Sequence, residues 1–156
     1  KMCRDQAEKA DVSLVARLVN DVELHADMTR IKQVVLNIVS NAIKFSPGGA
    51  TVQIEMGQSA SGGFVLQVRD GGIGVRPEDI ERIFDPFVQV EDNTSRRFAG
   101  IGLGLSIARK IARLHGGDVT LDSQFGSGTT VRFELPASRV IWRGAAVAHS
   151  GPGVAA

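Results

Sequence analysis

The sequence predicts an α+β fold, a two-layer α/β sandwich in which helices cover one face of a mixed, mostly antiparallel sheet. Two segments carry apolar residues at helical spacing, and the other apolar segments are short and rich in β-branched residues. The strand-like segments come in neighbouring pairs, which favours hairpins over the strict strand–helix alternation of a parallel sheet. At 156 residues, 43% of them apolar, the chain is long enough for one domain with its own core.

The composition excludes several classes of protein. Eighteen basic and seventeen acidic residues nearly cancel, so no general field attracts nucleic acid or an anionic membrane. The single cysteine, Cys3, cannot form an internal disulfide, which indicates a reducing, cytoplasmic compartment. No apolar run reaches the ~20 residues of a transmembrane helix. Because Lys1 is not an initiator methionine, we expect a piece of a longer protein that could carry a membrane anchor elsewhere.

The N-terminal part is predicted to hold two short strands and one long helix. Residues 1–10 are typical of the end of an upstream helix or a linker, and residues 12–19 and 22–25 are strand-like. Asp27 is a suitable N-cap for a helix with apolar residues at positions i, i+3 and i+4. A proline follows Ser46 and disfavours helical geometry there, so the helix should end at that point.

The middle of the chain is predicted to form a hairpin, a turn and a short helix. Residues 51–56 and 64–69 are the strands, and residues 59–63 are their connecting loop. Residues 70–74 are a glycine-rich turn, and residues 77–83 a short helix that begins with proline.

The C-terminal part is predicted to contain a long loop, a helix and a last hairpin. Residues 85–100 are polar and show no periodic spacing of apolar residues, which is common in functional loops. Residues 103–114 suit a helix closed by two glycines, and residues 119–121 and 130–135 suit two strands. We therefore divide the chain into an upstream helix end or linker, one folded domain and a linker or disordered tail, at residues 1–10, 11–136 and 137–156.

The first segment with possible chemistry is the long helix. Asn37 and Asn41 are four residues apart, so both carboxamides leave the same face, and Lys44 follows one turn later. Amide oxygens suit a hard cation such as Mg²⁺, and an ammonium suits phosphate. The alternative is a solvent-exposed polar stripe on an amphipathic helix.

Two glycine-rich segments are further candidates for binding a ligand. Asp70 directly follows a strand and opens a glycine turn, where its carboxylate can accept a hydrogen bond from an amine such as that of adenine. The alternative is a plain strand-to-helix turn. Residues 100–105 place three glycines at a helix N-terminus, which is a suitable phosphate cradle. A dinucleotide-binding fold would require a strand directly before these glycines, and a polar loop stands there instead.

The order of these segments carries a family resemblance. Phe84-Asp85-Pro86-Phe87 lies between the second and third, and Gly126-Ser127-Gly128-Thr129-Thr130 follows the third. Over residues 27–135 the chain resembles the catalytic and ATP-binding domain of bacterial sensor histidine kinases. That domain belongs to the group with DNA gyrase, heat-shock chaperones and mismatch-repair ATPases. The resemblance implies a Bergerat-type ATP-binding fold, with ATP and Mg²⁺ as cofactors.

The resemblance also implies a role for each matching residue. Asn37 and Asn41 would bind the metal, with Lys44 on phosphate and Ala42 beside the nucleotide. Asp70 would accept a hydrogen bond from the adenine amino group. The rest of the base pocket would consist of Gly72, Ile73, Gly74 and Thr129. Phosphate would lie on Gly100, Gly102 and Gly104 and on the backbone N–H groups of Leu103 and Leu105.

Phe84 and Phe87 would begin a lid over the nucleotide, and Phe87 is included among the nucleotide contacts. Arg96, or failing that Arg97, would reach the γ-phosphate. Alternatively, the two phenylalanines are core anchors, and the leucine side chains belong to the core. Ala99 and Ile101 depart from the Gly and Thr that are common in the family.

One position distinguishes branches of the group. ATP-hydrolysing relatives carry a glutamate where this chain has Asn37, and an amide cannot act as a general base. The resemblance therefore implies a histidine kinase whose catalytic residues are Asn37, Lys44 and Arg96. A pseudokinase or anti-sigma-type regulatory module is the alternative, and a gyrase-like ATPase is disfavoured.

The acceptor histidine is expected outside this chain. His25, His115 and His149 lack the flanking pattern of the family's phosphoacceptor helix, and each is interpreted as a surface or capping residue. The implied partners are an upstream phosphoacceptor and dimerisation domain and a response regulator receiver domain. We expect the isolated domain to be a monomer with no nucleic-acid partner. The full-length protein is expected to be a homodimer, and an inner-membrane anchor is compatible with this domain if it lies elsewhere in that protein.

Overall fold

A computed structural model describes residues 2–19, 21–86 and 103–143 of the chain. Within these ranges, no helix is long and apolar enough to cross a lipid bilayer. The α-helices of these ranges are α1 (Met2–Lys9), α2 (Met28–Phe45) and α3 (Gly104–Leu114). The strands are β1 (Ser13–Arg17), β2 (Val22–Leu24), β3 (Thr51–Gln58), β4 (Phe64–Asp70), β5 (Asp118–Gln124), β6 (Gly128–Leu135) and β7 (Val140–Trp142).

The main sheet has the strand order β1-β3-β4-β6-β5. The β1–β3 pair is parallel and the other three pairs are antiparallel, so the predicted mixed, mostly antiparallel sheet is confirmed. Inward-facing residues of the central strands pack against α2 and α3 to form the core, whose fully buried members include Leu66, Val68, Phe133, Ile38 and Ala108. The predicted two-layer sandwich is therefore confirmed.

Helix α2 begins and ends where the sequence predicts. The Asp27 side chain accepts a hydrogen bond from the backbone N–H of Arg30 at 3.1 Å, as expected of an N-cap. At the other end, the Ser46 hydroxyl donates to the Ala42 carbonyl at 2.7 Å, and the chain leaves the helix before its proline.

The prediction of one short α-helix over residues 77–83 is wrong. Two 3₁₀ turns, Pro77–Asp79 and Arg82–Phe84, replace it, with backbone hydrogen bonds that span three residues rather than four. Pro86 disfavours helical geometry at Asp85, and the segment is too short to gain from helix propagation.

The sequence predicted no element after Pro136, but the structure has two. A 3₁₀ turn (Ala137–Arg139) leads into β7, which pairs antiparallel with β2 as a small second sheet. The Trp142 indole donates to the Gly62 carbonyl at 3.0 Å, and Arg143 pairs with Glu23 at 2.9 Å. A three-residue strand has too little pattern to be recognised without its partner, which lies over a hundred residues earlier. The division into domains stays a prediction.

His115 joins α3 to α2. Its Nδ1 lies 2.8 Å from the Ile111 carbonyl, and its Nε2 accepts the Asp27 backbone N–H at 3.3 Å. With Nδ1–H as donor and Nε2 as acceptor, both ring nitrogens are engaged by backbone groups. This is the capping role that the sequence indicated for His115. His25 is exposed, and His149 lies outside the described residues.

Asp118, at the start of β5, is held by two arginines of α3. It lies 2.9 Å from Arg109 Nε and 3.1 Å from Arg113 Nε. Burial by itself raises the pKa of Asp118, but the hydrogen bonds from both arginines and from the Val119 N–H outweigh it and lower the pKa to about 2. The Arg109 guanidinium also lies 4.4 Å from the centre of the Phe84 ring, so this cluster attaches the second 3₁₀ turn to α3.

We expect Asp118→Asn to remove a pH-dependent part of the stability. Because the folded-state pKa is depressed, the contribution is present above the ordinary value of 3.8 and is lost as pH falls through about 2. The carboxylate is 38% exposed, and solvent screening reduces the contribution to about 1 kcal/mol. Denaturant unfolding should therefore show the gap between wild type and variant closing from pH 5 to pH 2. Asp122→Asn, exposed on the same strand, is the control, and a gap that stays constant would contradict the prediction.

Candidate functional site

Asp70 stands where the apolar core gives way to polar residues. It is the last residue of β4, only 6% exposed, and lies opposite Thr129 of β6. Its Oδ1 accepts the Gly72 backbone N–H at 2.9 Å. Burial raises the pKa of Asp70, and backbone hydrogen bonds from Gly72 and Thr129 act in the opposite direction. Asp70 is therefore a buried hydrogen-bond acceptor at the edge of the hydrophobic core.

The glycine turn after Asp70 packs tightly against its neighbours. A Cβ on Gly72 would overlap the carbonyl oxygen of Phe45 at the end of α2, so only glycine fits there. Gly74 has a φ of +69°, and a Cβ there would overlap the Gln124 carbonyl of β5. The Ile73 side chain is 39% exposed, while its carbonyl accepts the Gly126 N–H at 2.7 Å.

The structure adds Ser123 to this group, a residue that the sequence motifs did not indicate. Its Oγ accepts the Val75 backbone N–H at 2.8 Å and lies 2.9 Å from Thr129 Oγ1. The strand pattern could have identified Ser123 from the sequence. Side chains alternate between the two faces of a strand, and Val119 and Leu121 face inward, so position 123 faces inward as well. A serine at an inward position is the polar exception that marks a site.

The amide-bearing face of α2 meets the start of α3. Asn37 Nδ2 donates to the Gly104 carbonyl at 3.1 Å, which leaves Oδ1 as a remaining acceptor. A Cβ on Gly104 would lie 3.5 Å from the Asn41 amide nitrogen, so the glycine faces both asparagines. The structure therefore brings Asn37, Asn41 and Gly104 together.

The N-terminus of α3 has backbone donors without a side-chain cap. Leu103 occupies the N-cap position, and no described side chain bonds the first N–H groups, those of Gly104 and Leu105. Such groups and the helix dipole favour an anion. The Leu105 side chain is 6% exposed in the core, so a nucleotide could meet this residue only through its backbone.

Lys44 and Ala42 differ in position although both belong to α2. The Lys44 ammonium lies 5.1 Å from the centre of the Phe45 ring, and partial burial lowers the pKa of this lysine. Ala42 is 5% exposed and is part of the hydrophobic core. Both assignments as nucleotide contacts stay predictions.

Several predicted site residues lie outside the described ranges. They are Phe87, Arg96, Arg97, Ala99, Gly100, Ile101 and Gly102. Phe84, which is described, is partly buried beside the core and under Arg109, as the alternative interpretation of a core anchor indicated.

Comparison with known proteins identifies the family. Residues 26–139 match the family described as histidine kinase-, DNA gyrase B- and HSP90-like ATPase. The chain is 41% identical over 137 residues to histidine protein kinase DivJ of Caulobacter vibrioides, which covers 87% of this chain but 23% of that relative.

Solved structures agree with the family assignment. The catalytic domain of histidine kinase ThkA in a nucleotide-free form superimposes with a TM-score of 0.73 at 30% identity, covering 87% of each chain. Full-length ShkA in complex with AMPPNP gives a TM-score of 0.67 at 28% identity, covering 86% of this chain and 29% of that one. The resemblance to sensor histidine kinases and the predicted fold are confirmed, and the chain belongs to the histidine kinase-, DNA gyrase B- and HSP90-like ATPase family.

Proposed function

We propose that this chain is the ATP-binding catalytic domain of a sensor histidine kinase. It would transfer the γ-phosphate of Mg²⁺-ATP to a histidine on a separate helical domain. The chain spans about a quarter or less of its relatives DivJ and WalK, so the activity of the whole protein is part of the proposal.

The orientation of Asn37 is the observation that carries the proposal. Its Nδ2 donates to the Gly104 carbonyl, which leaves its amide oxygen as an acceptor at the position where hydrolysing relatives carry a glutamate in sequence. A carboxamide cannot remove a proton from water at neutral pH, which disfavours hydrolysis. A neutral imidazole needs no such base to attack phosphorus, so a histidine suits this site as the acceptor.

The residues present also fit a bound Mg²⁺-ATP. Asn37 and Asn41 offer amide oxygens for Mg²⁺, which when bound neutralises phosphate charge. The N–H groups of Gly104 and Leu105 suit phosphate oxygens, and Lys44 and Arg96 would supply positive charge. Asp70, buried beside Thr129, suits the amino group of the base. These roles follow the pattern of phosphoryl transfer, in which positioning and charge neutralisation dominate.

The proposal extends to partners and location. The acceptor would lie on an upstream helical domain that also makes the full-length protein a homodimer, and a receiver domain would take the phosphoryl group next. The isolated domain would be a monomer. We place this domain in the cytoplasm, with any membrane anchor elsewhere in the parent protein.

Phosphotransfer in trans tests the proposal. The chain is incubated with γ-labelled ATP and Mg²⁺, with and without the parent protein's phosphoacceptor hairpin, and the proteins are separated. We expect acid-labile label on the hairpin only, and slow release of phosphate without it. The control is the same hairpin with its acceptor histidine changed to glutamine. Label on this chain alone, or rapid hydrolysis without the hairpin, would overturn the proposal, and ATP binding without transfer would favour a pseudokinase.

A further inference from the structure

Ser123 belongs to a polar row that crosses three strands. Asp70 of β4 lies opposite Thr129 of β6, and Thr129 lies opposite Ser123 of β5. Two residues further into the sheet, which is two residues before Asp70 and Ser123 and two after Thr129, the corresponding row is apolar and consists of Val68, Val131 and Leu121. The polar row therefore lies on the helix-facing side, at the point where the core ends and the base pocket begins.

The hydrogen bonds of Ser123 fix the direction of a second hydroxyl. A serine hydroxyl has one proton and two lone pairs. The proton is directed to the Gly128 carbonyl at 2.8 Å, and one lone pair accepts the Val75 N–H at 2.8 Å. The 2.9 Å contact with Thr129 Oγ1 is then satisfied when the Thr129 hydroxyl donates to the second lone pair. Thr129 is left with lone pairs only for any further partner.

Ser123 also holds one end of the glycine turn. Val75, whose backbone N–H donates to the Ser123 hydroxyl oxygen, is 7% exposed and lies 48 residues before Ser123 in the chain. The turn has other attachments, namely the Gly126 N–H to the Ile73 carbonyl and the contact of Gly72 with Phe45. Loss of the Ser123 hydroxyl should therefore leave the turn attached and change mainly the orientation of Thr129.

We propose that Ser123 is a positioning residue for the base pocket, which keeps Thr129 as a hydrogen-bond acceptor beside the acceptor Asp70. Two neighbouring acceptors suit an exocyclic amino group, which has two N–H donors, and disfavour a carbonyl at the same place. Ser123 would thus contribute to selection of a 6-amino purine over a 6-oxo purine. This inference rests on the proposed function.

The ratio of affinities for ATP and ITP tests it. The two nucleotides share ribose and phosphates and differ at the 6-position and in the N1 proton. We expect Ser123→Ala to weaken ATP binding and to lower the ATP preference by about tenfold, the equivalent of one hydrogen bond, because the freed Thr129 hydroxyl can also donate. A purely structural role would weaken ATP and ITP equally and leave the ratio unchanged. Ser123→Thr, which keeps the hydroxyl, should restore the preference.

A double-mutant cycle separates this role from others. If Ser123 acts through Thr129, Ser123→Ala should change the ratio in wild type but not in a Thr129→Val background. Ser123→Cys, of similar shape with a weak donor, replaces Ser123→Ala if that variant folds poorly. An unchanged ATP to ITP ratio in a folded Ser123 variant that lacks the hydroxyl would overturn this inference alone. Failure of the wild-type chain to bind ATP would overturn the proposed function as well.

Discussion

Replacing Asp70 by asparagine is expected to lower the affinity for ATP by about 100-fold, because in the proposed base pocket an acceptor for the amino group of the base becomes a donor. The fold should not suffer. Burial raises the pKa of Asp70, so the ionised carboxylate costs stability at neutral pH. The amide removes that cost and can still accept the Gly72 N–H. Because the amide has only one acceptor oxygen for the backbone N–H groups of Gly72 and Thr129, we expect a melting temperature close to that of wild type.

Calorimetric titration with ATP and thermal unfolding check both halves of this prediction. Asp122→Asn is the matched control, since it changes the net charge equally at an exposed position and should leave the affinity unaltered. Lowering the pH through the raised pKa of Asp70 should weaken ATP binding in wild type by protonating the acceptor, and the Asn variant should lack this component. Wild-type affinity in the Asp70 variant would remove this residue from the base pocket.

Replacing Asn37 by alanine is expected to reduce phosphotransfer by about 100- to 1000-fold, the range seen when one preorganised polar group is removed from an active site. The change deletes an amide oxygen proposed for Mg²⁺ and the bond that ties α2 to the Gly104 carbonyl. The specific readout is the gain in ATP affinity on adding Mg²⁺. That gain should disappear in the variant, whereas the weaker affinity measured in EDTA should stay close to that of wild type.

Gln33→Ala provides the control for Asn37. It removes an amide from the same helix, where the Gln33 side chain bonds Arg30 and not α3. Asn37→Asp tests the hydrogen bond between Asn37 and the Gly104 carbonyl. This variant keeps an oxygen for Mg²⁺, but it loses the donor to Gly104 and places a carboxylate against a carbonyl. We expect it to retain part of the Mg²⁺ effect and to lower the melting temperature. Wild-type transfer by the alanine variant would contradict the metal role.

Local patterns explain why the residues of the candidate site could be proposed from the sequence. Helical periodicity puts Asn37 and Asn41 on one face of α2, and glycine alone permits the approach of Gly72 to Phe45. Asp27 was recognisable as an N-cap because its partner lies three residues away. Helical spacing, the conformational freedom of glycine and N-capping each depend on residues a few positions apart, so a short sequence motif is enough to recognise them.

Contacts between distant parts of the chain could not be predicted in this way. The bond from Asp27 N–H to His115 joins residues 88 apart, and Arg143 reaches Glu23 across 120. Strand β7 exists only because β2 offers it a partner, and the turns at 77–84 replace a helix where Pro86 and the Arg109–Phe84 contact constrain the chain.

The sequence by itself determined that Asp70, Asn37 and Asn41 have donor and acceptor groups suited to the proposed ATP site, because donor and acceptor type and helical spacing are properties of local sequence. Only the tertiary structure decided how these groups are oriented. Gly104 fixes the Asn37 amide across 67 residues, and Ser123 fixes the Thr129 hydroxyl through a strand pair that the sequence predicted only in part. A hydroxyl or amide has no preferred direction until a second element supplies its partner.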